Sequence, residues 1–265
     1  MKKLTIIGCG KLAEIVTDAL IKGLLPDYRL VGVLSRTRKN AERIAEKMQN
    51  AGCGYTCTPC STLDELLALQ PDYIVESASP ATMKEIAIPA LKSGASVVSL
   101  SIGALVDEKF YEEVTGVARA NGTRVYIVSG ATGGFDVLRT AALMGNCTAS
   151  FDTEKGPNSL KDSSVYEAAL QTEKRKVFEG NAKEAIALFP TKVNVAVAAS
   201  LASVGPNDIK VSVTSTPGFV GDDHRVEVKN DQVHAVIDVY SKTADIAGWS
   251  VVNTLRNITS PVVFS

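Results

Sequence analysis

Three groups of residues in this chain have types and spacings that could do chemistry. The two histidines, His224 and His234, both lie in the stretch TPGFVGDDHRVEVKNDQVHAVIDVY. An imidazole titrates near neutral pH, so it can shuttle a proton, bind a metal, or sit as a partly buried ring with no role. The second group is GCGKLA, which fits G-x-G-x-x-G/A. In such a turn Gly8 permits the tight bend and Gly10 lets the backbone approach a pyrophosphate. Ala13 lets the helix pack close to the strand, and the helix start at Lys11 and Leu12 supplies N–H groups to the phosphates. The third group is Cys53, Cys57 and Cys60, spaced C-x3-C-x2-C with no fourth ligand nearby. A zinc site usually needs that ligand, so no metal is expected.

The cofactor can be narrowed by the second strand. An NAD-selective turn usually ends this strand with Asp or Glu for the ribose 2′-hydroxyl. Here the strand ends LSRTRK, which offers no carboxylate. Ser35 and Arg36 can hold a 2′-phosphate that a carboxylate would repel, so NADP is expected to be preferred over NAD. Ala78, in the ESASP segment, is counted with the cofactor contacts.

The elements that must position these residues are legible. Apolar runs KLTIIGC, RLVGVLS, DYIVESA, SVVSLSI and RVYIVSG read as strands, with a weaker one at GYTCTPC. Helical patterns alternate with them, started by signals such as Ser61 and stopped by Gly23, Gly94 and Gly122. This alternation predicts a Rossmann-type, doubly wound parallel sheet over residues 1–130, covered on both faces and completed by a C-terminal helix at 242–265. Residues 131–241 read as a smaller α+β domain with an antiparallel sheet, built from CTASFDTEK, DIKVSVTST, HRVEVK and QVHAVIDVY. Such a sheet often mediates dimerisation, which predicts a homodimer.

Composition excludes several classes. A chain of 265 residues with 45% hydrophobic and 22% charged residues is ordinary for a soluble globular protein. A net charge of -1 gives no footprint for nucleic acid or an anionic membrane. The N-terminal apolar run is too short for a signal peptide and no segment reaches a membrane span. The odd count of five cysteines fits a reducing compartment, so a cytoplasmic location is expected.

Several motifs in order, namely GCGKLA, SLSIGALVD, SGATGGFDVLR, FEGNAKEAIALFPTKVNVA and GDDHRVEV, resemble the L-aspartate dehydrogenase family over nearly the whole chain. The resemblance implies oxidation of L-aspartate with NAD or NADP to iminoaspartate, which hydrolyses to oxaloacetate and ammonia or feeds NAD biosynthesis. It places the catalytic histidine on His224 and nicotinamide-side contacts on Ala131 and Asn194. Two departures stand out. The family often has Asn where Asp222 stands, and its T-x-K-P-P element appears as TEKGP, with Gly156 for a proline.

Strand parity separates the histidines. His224 shares a face with Val226 and Val228, an inward position that suits an active-site residue or a core histidine alike. His234 falls on a mixed face with Val236, Asp238 and Tyr240. The chemistry needs a base of near-neutral pKa, which Asp222 or Asp223 could raise or orient, and cations for the substrate carboxylates. Arg139, Lys174, Arg175 and Arg225 are the candidates. Two other readings are an NADP-dependent oxidoreductase of a related amino or imino acid, and a non-catalytic NADP-binding sensor.

Overall fold

The computed structural model describes residues 1–264. The chain divides into two compact units: Met1–Val128 joined by the chain from Ala247 onward, and Ser129–Ile246.

In the first unit β1 (Lys2–Ile7), β2 (Tyr28–Leu34), β3 (Thr58–Cys60), β4 (Tyr73–Glu76), β5 (Ser96–Ser99) and β6 (Val125–Ile127) pair in parallel in the order β3-β2-β1-β4-β5-β6. The strand order reverses between β1 and β4, and in open α/β sheets ligands bind at the carboxyl ends of strands at such a point. The strands bury residues such as Leu4, Ile6, Leu30, Val33, Ile74, Val75, Val97 and Val98, as expected where both faces are covered.

Helices α1 (Lys11–Ile21), α2 (Arg38–Asn50), α3 (Leu63–Ala68), α4 (Pro80–Lys92) and α5 (Glu108–Asn121) alternate with these strands. Gly23, Gly94 and Gly122 follow α1, α4 and α5 with positive φ, which only glycine adopts freely. The cap of α3 is Thr62, whose side chain accepts from Glu65 N, one residue beyond the expected Ser61. The Ser61 N–H instead donates to the Glu65 carboxylate. The strand expected over SVVSLSI ends at Ser99, and Ile102–Val106 winds into a 3-10 turn.

Further along the chain, α9 (Asp245–Thr259) returns its residues from Ala247 onward to this unit. Val251, Val252 and Leu255 join the core, Gly248 lets the helix approach Ile15 closely, and the buried Tyr28 hydroxyl donates to Leu255 O at 2.8 Å.

The second unit holds α6 (Phe135–Leu143), β7 (Thr148–Lys155), β8 (Arg175–Gly180), α7 (Ala182–Leu188), α8 (Asn194–Leu201), β9 (Lys210–Ser215), β10 (Asp222–Lys229) and β11 (His234–Ser241). Its sheet runs β11-β10-β7-β9-β8. The expected antiparallel sheet is mixed, because β7 and β9 pair in parallel while the other three pairings are antiparallel. The strand β8 was not expected. It is an edge strand whose register shifts between Lys176 and Phe178, so its sequence shows no clean alternation. Asn181 and Glu184 close a capping box at the start of α7. Among the described residues no helix is long and apolar enough to cross a membrane.

Candidate active site

Each unit carries part of the expected chemistry. In the first, the turn after β1 is shaped by two glycines with different tasks. Gly8 has φ +94°, and a Cβ there would lie 2.7 Å from the Ser77 carbonyl carbon and 2.8 Å from Ala78 N. Both the backbone conformation and the close approach therefore require glycine. Gly10 caps α1 without any side-chain hydrogen bond, and a Cβ there would meet nothing within 4 Å. An uncapped helix start facing open space fits a pyrophosphate held by backbone N–H groups. Ala13 is fully buried in the core beneath it, while Lys11 is exposed and Leu12 half-buried.

Beyond β2, Ser35 is half-buried and Arg36 is exposed with no ion pair or hydrogen bond among the described residues. Arg38 is committed: it bonds Glu42 at 2.9 Å and also the Ser61 hydroxyl. A guanidinium without a partner at the end of β2 fits a 2′-phosphate, whereas Arg38 serves α2.

Ala78 is exposed, but its N–H already donates to Glu76 Oε1 at 2.9 Å. Glu76 is a support of the glycine turn that the sequence motifs do not single out. It ends β4 fully buried and accepts from five donors: Ala78 N, Ser79 N and Ser101 Oγ on Oε1, and Ser99 Oγ and Ser101 N on Oε2. Burial raises its pKa against the pull of these bonds. With every partner a donor, the arrangement suits the ionised carboxylate. Glu76 thereby fixes the Ser77–Ala78 backbone on which Gly8 packs. A charged residue closing the apolar run YIVE was the available signal.

Cys9, Cys57 and Cys60 are buried free thiols. Burial pushes the Cys9 and Cys57 thiols up to about 12, and no group of three His, Cys, Asp or Glu placed to hold a metal occurs among the described residues.

In the second unit Gly130, at φ +63°, lies 3.4 Å by its virtual Cβ from Val195. This brings the backbone next to Ala131 against the first turn of α8, where Asn194 stands; both residues are half-buried. His224 lies on the buried face of β10 with 2% of its surface exposed. Its ring sits against Phe151, centroids 5.4 Å apart, and its Nδ1 has no hydrogen-bond partner. Burial lowers its pKa to about 4, helped by the charge of Lys155 and opposed by that of Asp222. The expected near-neutral or raised value is thus corrected, since desolvation outweighs the carboxylate.

The two aspartates before it divide. Asp222 shares the face of His224 but bonds Lys155 Nζ at 2.5 Å, not the imidazole. Asp223 points to the other face, where burial and Asp238 raise its pKa. The loop before the histidine ends at Gly221, because Asp222 and Asp223 are already in register with Ser241 and Tyr240. Gly156, the departure from a proline, leaves room for the Phe219 carbonyl, which any Cβ would strike. His234 is a surface ring bonded to Glu227 at 2.8 Å.

None of the four cations expected for substrate stands on the His224 face of the sheet as a buried group. Lys174 pairs with Glu154, Arg175 with Glu167 and Glu173, Arg225 with Glu227 and Asp238, and Arg139 is exposed on α6. The cation that does stand there is Lys155, which is 4% exposed. Burial lowers its pKa, the Asp222 carboxylate raises it, and Lys192 adds a smaller lowering.

Comparisons with known proteins bear on the family and the fold. The family "Aspartate dehydrogenase, C-terminal" matches residues 136–258, and "Homoserine dehydrogenase, NAD binding domain" matches residues 8–128. The chain is 32% identical to an L-aspartate dehydrogenase of Methanosarcina mazei and 31% identical to one of Methanococcus maripaludis, in each case over 99% of this chain and 98% of that protein. A crystal structure of aspartate dehydrogenase from Thermotoga maritima superposes with a TM-score of 0.77 at 25% identity, covering all of both chains. A hyperthermophilic archaeal homoserine dehydrogenase in complex with NADPH shares the fold at TM-score 0.64 and 12% identity, covering 99% of each chain.

Proposed function

The chain belongs to the L-aspartate dehydrogenase family, and from that premise we propose that it oxidises L-aspartate to iminoaspartate, with NADP preferred over NAD and His224 as acid/base. Hydrolysis of the imine then gives oxaloacetate and ammonia. When bound, the nicotinamide accepts the hydrogen and two electrons that leave the substrate Cα. The proton chemistry falls to the protein. The substrate nitrogen must lose a proton as the C=N bond forms, and water must lose one as it adds to that bond.

His224 is the observation that carries this reading. It is a buried imidazole, unprotonated at neutral pH, with Nδ1 unbonded on the protein side. Such a ring can accept a proton at once, and the Phe151 contact excludes water from it. Gly8, Gly10, Lys11, Leu12 and Ala78 are the proposed dinucleotide contacts of the first unit, with Ser35 and Arg36 for the 2′-phosphate. Ala131 and Asn194 are proposed on the nicotinamide side. The exposed face of the second sheet, which leaves Val236 and Tyr240 uncovered on β11, is the proposed homodimer contact.

The test is absorbance at 340 nm with NADP or NAD and a panel of amino acids, and in reverse with oxaloacetate and ammonium. L-aspartate turnover with a lower KM for NADP is expected. Turnover of no amino acid in either direction would overturn the enzyme reading, and a strong preference for NAD would overturn the assignment of Ser35 and Arg36.

A further inference from the structure

We infer that Lys155, Thr153 and Ser215 form a subsite for the side-chain carboxylate of a dicarboxylic amino acid, which Asp222 fills in the free protein. The identity of that ligand rests on the deamination reading.

Strand register sets the subsite. On the buried face of the second sheet, Asp222, Lys155 and Ser215 form one row across β10, β7 and β9, and His224, Thr153 and Val213 form the next. The row after that, Val226, Phe151 and Val211, is wholly apolar. The same face therefore changes from a hydrocarbon core to a polar patch within two rows. Lys155, Thr153, Ser215 and His224 are each less than a twentieth exposed.

Stability alone does not account for this patch. The hydroxyls of Thr153 and Ser215 are buried without any hydrogen-bond partner, as is His224 Nδ1. Burying a hydroxyl unpaired costs folding free energy, and a valine would fill either place more cheaply. The Lys155 ammonium carries three donors, of which its ion pair with Asp222 uses one. Unmatched donors around one buried cation fit an anionic ligand. Asp222 is the exposed member of the pair, its side chain 32% accessible against 5% for Lys155. An incoming carboxylate can take its place while Asp222 turns to water.

The spacing suggests which carboxylate enters. Successive rows on one face are roughly 7 Å apart, twice the rise per residue. In aspartate three bonds of about 1.5 Å separate the side-chain carboxylate carbon from the α-nitrogen, a span of about 4 Å. Adding one hydrogen bond of about 3 Å covers the distance between the rows. A carboxylate on Lys155 thus leaves the α-nitrogen in reach of His224.

The experiment is calorimetric titration of the cofactor-loaded protein with succinate, alongside KM for L-aspartate. Lys155→Met is expected to weaken succinate binding and raise KM at least roughly 30-fold, with the cofactor Kd unchanged. Thr153→Val and Ser215→Ala remove orphan hydroxyls, so both should keep or raise Tm while weakening succinate several-fold. This pairing separates a ligand role from a structural one even if Lys155→Met fails to fold. Wild-type succinate affinity and KM in the Thr153 and Ser215 variants, or in a folded Lys155→Met, would overturn the subsite. Lys155-dependent succinate binding without aspartate turnover would overturn the reaction and leave the subsite standing.

Discussion

Protonating His224 should cost the fold a calculable amount. The pKa of the imidazole falls from an ordinary 6.5 to about 4, driven first by burial and then by Lys155. A tenfold change in proton affinity corresponds to about 1.4 kcal/mol, so the whole fall is worth about 3 kcal/mol. The sign follows from which state binds the proton. Above pH 6.5 neither the folded nor the unfolded histidine is charged, and the group costs nothing. As pH falls from 6.5 towards 4 the unfolded chain takes up a proton that the folded chain refuses, and stability is lost. Linkage gives a loss of about 2 kcal/mol at pH 5 and about 3 kcal/mol at pH 4.

The assay is urea unfolding of the full chain, with hydrogen exchange of the β10 amides as the local readout, at pH 7.5 and pH 5. It is compared between wild type and His224→Gln, which removes the titrating group. The variant should lose less stability on acidification than wild type, by about 2 kcal/mol. Imidazole proton shifts give a second readout, because the chain has two histidines and the variant assigns them. A midpoint for His224 at pH 6 or above, or identical acid sensitivity in the two proteins, would refute the burial argument. The same variant should lower kcat by roughly 100-fold or more if the ring moves the proton.

Two predictions concern the first unit. Gly8→Ala forces a Cβ against the Ser77–Ala78 backbone at a φ of +94°, so we expect a loss of at least about 2 kcal/mol and of dinucleotide affinity, read by thermal melting and cofactor titration. Retained affinity would show that the turn relaxes. Glu76→Gln replaces a carboxylate that accepts from five donors with an amide that must point two N–H groups at them; a loss of about 2–4 kcal/mol and a weaker cofactor Kd are expected, and a wild-type melt would contradict the ionised assignment.

How much of this was legible in the sequence depends on range. The GCGKLA turn, its strand and its helix lie within one stretch of chain, so residue types alone dictated them. His224 could be placed on the inward face because alternation within β10 is local. Arg36 and Arg38 look equivalent as letters, although Glu42 four residues after Arg38 was a readable sign that the latter is committed. Lys155 stood in the TEKGP element that the resemblance marked, but its partners were out of reach. Its meaning comes from pairing with Asp222, 67 residues away, and from the parallel neighbour Ser215. Of the candidate cations, Lys174, Arg175 and Arg225 pair with carboxylates on the surface instead, and Arg139 is exposed on α6. The strand β8 was hidden because a register shift at the sheet edge removes the period that identifies strands.

The neutral His224 and the buried Lys155 are consequences of one placement. Desolvation among Phe151 and the core leads in setting the proton affinity of the ring, and the charge of Lys155 adds to it, only partly offset by Asp222. A base of such low affinity is always ready but weak, and it strengthens if negative charge arrives. L-aspartate carries one more carboxylate than ammonium groups at neutral pH, whereas a neutral amino acid brings no net charge. Where the incoming carboxylate displaces Asp222 from Lys155, one negative charge replaces another, so the basicity of His224 rises only with a further negative charge that the ligand brings. Succinate should move the imidazole midpoint upward, while propionate, lacking the second carboxylate, should move it less.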